Sequence, residues 1–193
     1  MTTTHRVRVA ALSGAGALLF PLALALAPAA QAGPVQEPFG PACASLPTSG
    51  EGSAAGMADD PVATAASNNP ALSTLVTAVK KAGLVDTLNN ADDITVFAPT
   101  NDAFAKIPKA DLDKILNDKE QLTNLLTYHV VDETVTRDKL PNGTFTTLQG
   151  DQLTTSQSGD VYKVNNSATI VCGDVETENA TVHVVDTVLM PKS

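Results

Sequence analysis

The sequence predicts an α+β domain, and three observations carry that reading. Apolar residues between Pro61 and Leu126 recur at helical spacing, as in Leu72, Leu75, Val76 and Val79. From Tyr128 onward the character changes to runs of Val, Thr and Ile punctuated by Asn142-Gly143, Gly150-Asp151, Ser158-Gly159-Asp160 and Gly173-Asp174, which reads as short strands joined by tight turns. Between them, Thr95 to Phe104 (TVFAPTNDAF) holds a strand, a stop and a helix start in one stretch. Helices first and sheet last indicate α+β.

Taken in order, residues 1–32 read as a secretory signal peptide. His5, Arg6 and Arg8 precede an apolar run from Val9 to Ala27, and Ala30-Gln31-Ala32 offers small residues for cleavage. A membrane anchor is the competing reading, but Ser13, Gly14, Gly16 and Pro21 interrupt the run and leave it only marginally long enough to span. No cysteine sits at the cut to carry a lipid. The product is expected to be secreted and extracellular, with no stable membrane insertion after cleavage. Cleavage removes two arginines, leaving ten basic against 21 acidic residues and a net charge of −11. Such a surface repels phosphate backbones and anionic lipid, which argues against nucleic-acid partners. The remaining 161 residues make about one domain.

Residues 33–56, rich in Gly, Pro, Ala and Ser, read as an extension with little secondary structure, and residues 57–193 as the domain. Cys43 and Cys172 are the only cysteines, and an exported chain with an even count usually pairs them. That bond closes a loop of 129 residues, which by chain entropy stabilises by roughly 4–5 kcal/mol at most. Asp60-Pro61 and Asn69-Pro70 each set a capping side chain before a proline suited to the first helical turn, and Gly83 is a natural stop. Leu112, Ile115 and Leu116 form one later stripe. Leu122, Leu125 and Leu126 form the next, introduced by Asp118 and Gln121 as a variant capping box.

In the central stretch, Thr95, Val96 and Phe97 suit a half-buried strand, which Pro99 ends for want of an N–H. Thr100 then caps a helix, with Asn101 and Asp102 in its first turn, and Pro99 and Phe104 flank the cap as a staple. Val96, Phe97 and Phe104 are therefore expected in the core.

This decapeptide resembles the first signature motif of fasciclin-like domains. Tyr128-His129 matches the family's central Tyr-His pair, and Asn179 to Pro191 (NATVHVVDTVLMP), with His183 and Asp186, looks like its closing motif. The chain is similar in particular to the mycobacterial secreted immunogenic antigens of that family. The resemblance implies a single domain whose N-terminal helices pack on a mostly antiparallel β-wedge, acting as a non-enzymatic adhesion or interaction module. It also implies that Asp174-Val175, at the place of an Asp-Ile pair in animal members, and Tyr128-His129 contact a receptor. Valine departs from that pattern, as does a single domain from the tandem anchored adhesins. Gly173 is suited to a turn that lifts Asp174 and Val175 into solvent, although one more Gly-Asp turn is the plainer reading.

The chain offers little for catalysis. It has no Gly-x-Ser-x-Gly elbow, and Gly50-Glu51-Gly52 lacks the rest of a phosphate loop. No His-Glu-x-x-His or comparable metal spacing occurs, so no metal or cofactor is expected. His129 and His183 could in principle meet, but each reads more simply as packed at a strand end with one satisfied nitrogen. Asp186 shares a strand face with Val182, Val184 and Val188, and reads as a structural acceptor for backbone N–H groups. Asn142, Asn165 and Asn179 open N-x-S/T triplets, which are not taken as glycosylated. Three functions remain. The leading one is a secreted, monomeric module binding host, matrix or cell-surface macromolecules. The second is an extracellular carrier of a lipid or small apolar ligand, and the weakest is an enzyme.

Overall fold

The computed structural model describes residues 37–191, so the expected signal peptide lies outside the described residues. Its first part is a strap. Phe39 bridges Gly173 through two backbone hydrogen bonds of 3.0 and 2.8 Å, Ala42 N–H donates to Val171 O at 2.9 Å, and Cys43 is disulfide-bonded to Cys172. A 3₁₀ turn at Cys43–Ser45 leads to α1 (Ala54–Met57), which begins before the expected domain start at 57. Then follow α2 (Val62–Ser67), α3 (Ser73–Ala82), α4 (Val85–Asn89), β1 (Ile94–Pro99), α5 (Asn101–Ala105), α6 (Lys109–Asn117) and α7 (Lys119–Tyr128). The remaining strands are β2 (Val130–Val131), β3 (Thr144–Thr146), β4 (Gln152–Ser158), β5 (Val161–Val164), β6 (Ala168–Glu176) and β7 (Ala180–Val185).

Most local signals are used as the sequence implies. Asn69 Oδ1 accepts from Ala71 N–H, Thr100 Oγ1 from Ala103 N–H, and Asp118 Oδ1 from the N–H groups of Glu120 and Gln121. Gly83 ends α3 in the left-handed region, φ 76°, where a side chain would strain the backbone. Asp60 does not cap α2. Its carboxylate accepts from Asn68 Nδ2 instead, and the first N–H groups of α2 are taken by distant asparagines, Val62 N–H by Asn179 Oδ1 and Ala63 N–H by Asn89 Oδ1. Asn142-Gly143 is not a hairpin turn either. Gly143 is extended (φ −84°, ψ 151°) and leads straight into β3, where a Cβ would lie 2.2 Å from the Phe145 ring.

The sheet runs β2-β1-β7-β6-β5-β4-β3, antiparallel throughout except for the parallel pair β1 and β7. Val131 also bridges Thr147, and Leu148 N–H donates to Val130 O at 2.8 Å, so the β2 edge meets the chain just past β3 and the sheet curls on itself. Every residue of β1 and β7 is buried, because the helices cover one face and the curled sheet encloses the other. Two apolar cores result. Leu75, Phe104, Leu122, Val96 and Val182 fill the helix side; Phe97, Tyr128, Leu140, Leu153 and Val185 fill the inside of the curl.

Candidate functional site

The motif residues converge on the central strands. Thr95 on β1 donates its hydroxyl to Glu133 O at 2.7 Å and accepts from Val135 N–H at 2.8 Å, tying the segment after β2 onto the sheet. Phe97 stands in register with His183 on β7, ring centroids 5.4 Å apart. His183 is fully buried; its Nε2–H donates to Val135 O at 2.7 Å and its Nδ1 accepts from Asp174 N–H at 3.2 Å. His129 is bonded in the mirror sense. Its Nδ1–H donates to Leu125 O at 2.8 Å, and Nε2 accepts from Leu189 N–H at 2.9 Å. These partners assign a neutral tautomer to each ring, and burial lowers both pKa values to about 4. The two histidines therefore hold backbone with both nitrogens, one more each than expected. Among the described residues no group of three or more His, Cys, Asp or Glu could hold a metal ion.

Around them the other motif residues also fasten backbone. Asn101 Oδ1 accepts from Thr74 N–H at 2.9 Å while its Nδ2 donates to Pro70 O, so α5 holds the start of α3. Phe104 is buried in the helix-side core, and Pro99 lies opposite Val185 at the end of β1. Asp186 Oδ1 accepts from Thr169 N–H at 2.8 Å, and Oδ2 pairs with Lys106 at 3.4 Å. Burial alone would raise the Asp186 pKa; the Thr169 N–H, the Thr187 hydroxyl and Lys106 outweigh it and hold the carboxyl below its usual value.

The expected exposed contact at Asp174-Val175 needs correction. Both residues are buried, at 2% and 1% exposure. Gly173-Asp174 is not a turn but a bulge within β6, where the register with β7 shifts between Cys172 and Val175 and Asp174 takes φ 53°. The Phe39 strap lies over the bulge, with its ring 2.4 Å from where a Gly173 Cβ would stand, so only glycine fits beneath it. Asp174 Oδ2 accepts from Arg137 N–H at 3.3 Å, and Oδ1 has no partner. Desolvation raises its pKa to about 6, against the Arg137 N–H and guanidinium, which lower it. Arg137 itself sits 4.8 Å from the Phe39 ring centroid and donates from Nε to Tyr162 Oη at 3.1 Å.

Tyr128 and His129 are likewise buried rather than presented to solvent. Tyr128 backs a groove of about 540 Å³ also lined by Thr154, Asn166, Thr187 and Met190, while its hydroxyl is taken up inside, accepting from Asn165 Nδ2 at 2.9 Å and donating to Gln152 O at 3.4 Å. Met190 is 54% exposed there. Asn165 and Asn166 both have positive φ, 51° and 55°, as a primed hairpin turn between β5 and β6 requires. The tandem asparagines were a readable turn signal. Asn179 gave none: it accepts from Val62 N–H and donates to Leu88 O and Ala91 O, contacts that no local pattern announces.

Known proteins match this arrangement. The Fasciclin domain profile matches residues 70–191. The chain is 49% identical over 172 residues to the cell surface glycolipoprotein MPB83 of Mycobacterium bovis, covering 84% of this chain and 76% of that protein. It is 46% identical over 192 residues to the immunogenic protein MPB70 of the same species, covering 95% of this chain and 96% of that one. The solved FAS1 domain pair from the insect cell adhesion molecule Fasciclin I aligns with a TM-score of 0.58 at 22% identity, covering 70% of this chain and about half, 52%, of that chain; this likeness concerns the fold. Strand, proline and capped helix, the backbone-holding histidines and the closing strand all fall within the matched residues, and the chain belongs to the Fasciclin domain family.

Proposed function

We propose that the chain is an exported, non-enzymatic interaction module that binds a matrix or cell-surface macromolecule through the groove backed by Tyr128. The family is non-catalytic, and relatives matching most of the chain are described as a cell surface glycolipoprotein and an immunogenic protein. The observation that carries the reading is the groove itself. It brings a half-exposed methionine together with the amides of Asn165 and Asn166 and the hydroxyls of Thr154 and Thr187, over the buried side chain of a family-motif tyrosine, a mix suited to a polar contact with an apolar anchor. The test is binding of the signal-free chain to a panel of immobilised matrix and cell-surface proteins, with Met190→Glu beside it. A partner should be captured saturably and lose about tenfold or more with the variant, as for an interface anchor. Undiminished binding by the folded variant would move the contact elsewhere.

A further inference from the structure

Between α2, α3, α4 and α7 on one side and β1 with Val130 on the other lies a crevice that the macromolecular contact does not use. It holds about 660 Å³ of empty space counting its mouth, yet only about 50 Å³ is wide enough for water-sized particles. It is therefore a slot, suited to a thin chain rather than a ring system. Its floor is Val96, Leu88 and Leu126, and half-exposed Val76 and Leu84 stand along it.

Apart from Thr87, at an exposed position, the uncharged polar groups in its wall are already spent. Ser67 Oγ donates to Ala63 O at 2.8 Å, Thr127 Oγ1 donates to Thr123 O at 2.8 Å, and both nitrogens of His129 are bonded to backbone. Water inside would find few partners, and a polar ligand little to orient it away from the mouth. One cation stands apart. Lys80, in the last turn of α3, lines the crevice and is exposed, and its ammonium has no ion pair or hydrogen bond among the described residues. Lys81 follows it, so this end carries local positive charge on an acidic chain. Leu148, 39% exposed, adds apolar surface to the lining.

We propose that this crevice binds the alkyl chain of a long-chain fatty acid, with the carboxylate at the Lys80 ammonium. The slender apolar slot selects an unbranched chain, and the single free cation selects one monoanionic head. The site is independent of the groove over Tyr128 and stands or falls separately.

The test is displacement of a fluorescent fatty acid from the delipidated, signal-free chain by octanoate, dodecanoate and palmitate, each below its micelle threshold. Affinity should rise by about fourfold per added methylene until the slot is full. Lys80→Met, a change at an exposed position, should weaken palmitate by about fivefold, the size of a solvent-exposed charge pair, and leave hexadecanol unchanged. Val76→Phe, at the half-exposed wall, should weaken both; circular dichroism confirms its fold, and Ala66→Phe substitutes if it fails. Failure of palmitate to displace the probe, or equal displacement at all chain lengths, would overturn the site. Tighter binding of palmitoyl-lysophosphatidylcholine than of palmitate, or indifference of palmitate to Lys80→Met, would overturn the assignment to a free acid.

Discussion

The two cores on either side of β1 and β7 are built differently. Inside the curled sheet, buried polar side chains bind backbone far away in sequence: Thr95 holds residues 133 and 135, His183 holds 135 and 174, and Thr155 Oγ1 accepts from Gly143 N–H. On the helix side the packing is almost wholly apolar, the asparagine ties sit at helix starts, and a slot is left open. Directional bonds with geometric requirements fix one arrangement, whereas apolar contact tolerates small shifts of short helices. The curled side is therefore expected to be the rigid half and the helix side the adaptable one, divided by the same two strands.

The largest expected effect tests that division directly. Phe97→Ala and Phe104→Ala both remove a fully buried ring, so urea unfolding should show a loss of roughly 3–5 kcal/mol for each. Phe97 should sit at the upper end, since its ring also packs on His183 and its surroundings cannot close up. Phe104 should sit at the lower end, where helices can relax into the space. A larger loss at Phe104 than at Phe97 would reverse the assignment of rigid and adaptable sides.

Next in size is acid sensitivity. His129 and His183 have folded pKa values of about 4, below the unfolded value of about 6.5. The unfolded chain therefore binds more protons across that window, and stability falls as pH drops from about 6.5 towards 4, by about 3 kcal/mol for each histidine. His129 stands at the crevice and His183 in the sheet core. Replacing either by glutamine should flatten the pH dependence of unfolding by about half. An unchanged slope would show that the ring already titrates normally in the folded chain.

How much of this was legible depends on how local the cause is. The stripe Leu72, Leu75 and Val79, the Thr100 and Asp118 caps and the Gly83 stop each act within a few residues and could be read directly. The Asp60 cap failed because Asn179, 117 residues away from Val62, supplies the acceptor. Gly173-Asp174 departs from the expected turn for a related reason. Glycine and aspartate favour turns and bulges alike, and what decides between them is the strap through Phe39 and the register of β7, neither visible at the dipeptide. The Tyr128-His129 pair could be placed in a motif, but burial of both depends on the curl that brings β2 against Thr147.

The smallest expected effect concerns a flaw in the rigid half. Asp174 is buried in a left-handed conformation with Oδ1 unpartnered, and its carboxyl titrates at about 6. The folded value lies above the ordinary aspartate value, so the folded chain binds this proton more tightly. The group's penalty is complete above pH 6 and disappears as pH falls towards 4, opposite in sign to the histidines. Asparagine keeps an acceptor for Arg137 N–H, tolerates positive φ and carries no charge. Asp174→Asn should therefore stabilise the chain by about 1 kcal/mol at pH 8, a value discounted for relaxation around the site, and by nothing at pH 4. The measurement is unfolding free energy of both proteins from pH 4 to 8. A difference that does not vary with pH would mean that the carboxylate is solvated, and the bulge, with Phe39 and Arg137 over it, would then be an open site rather than a sealed one.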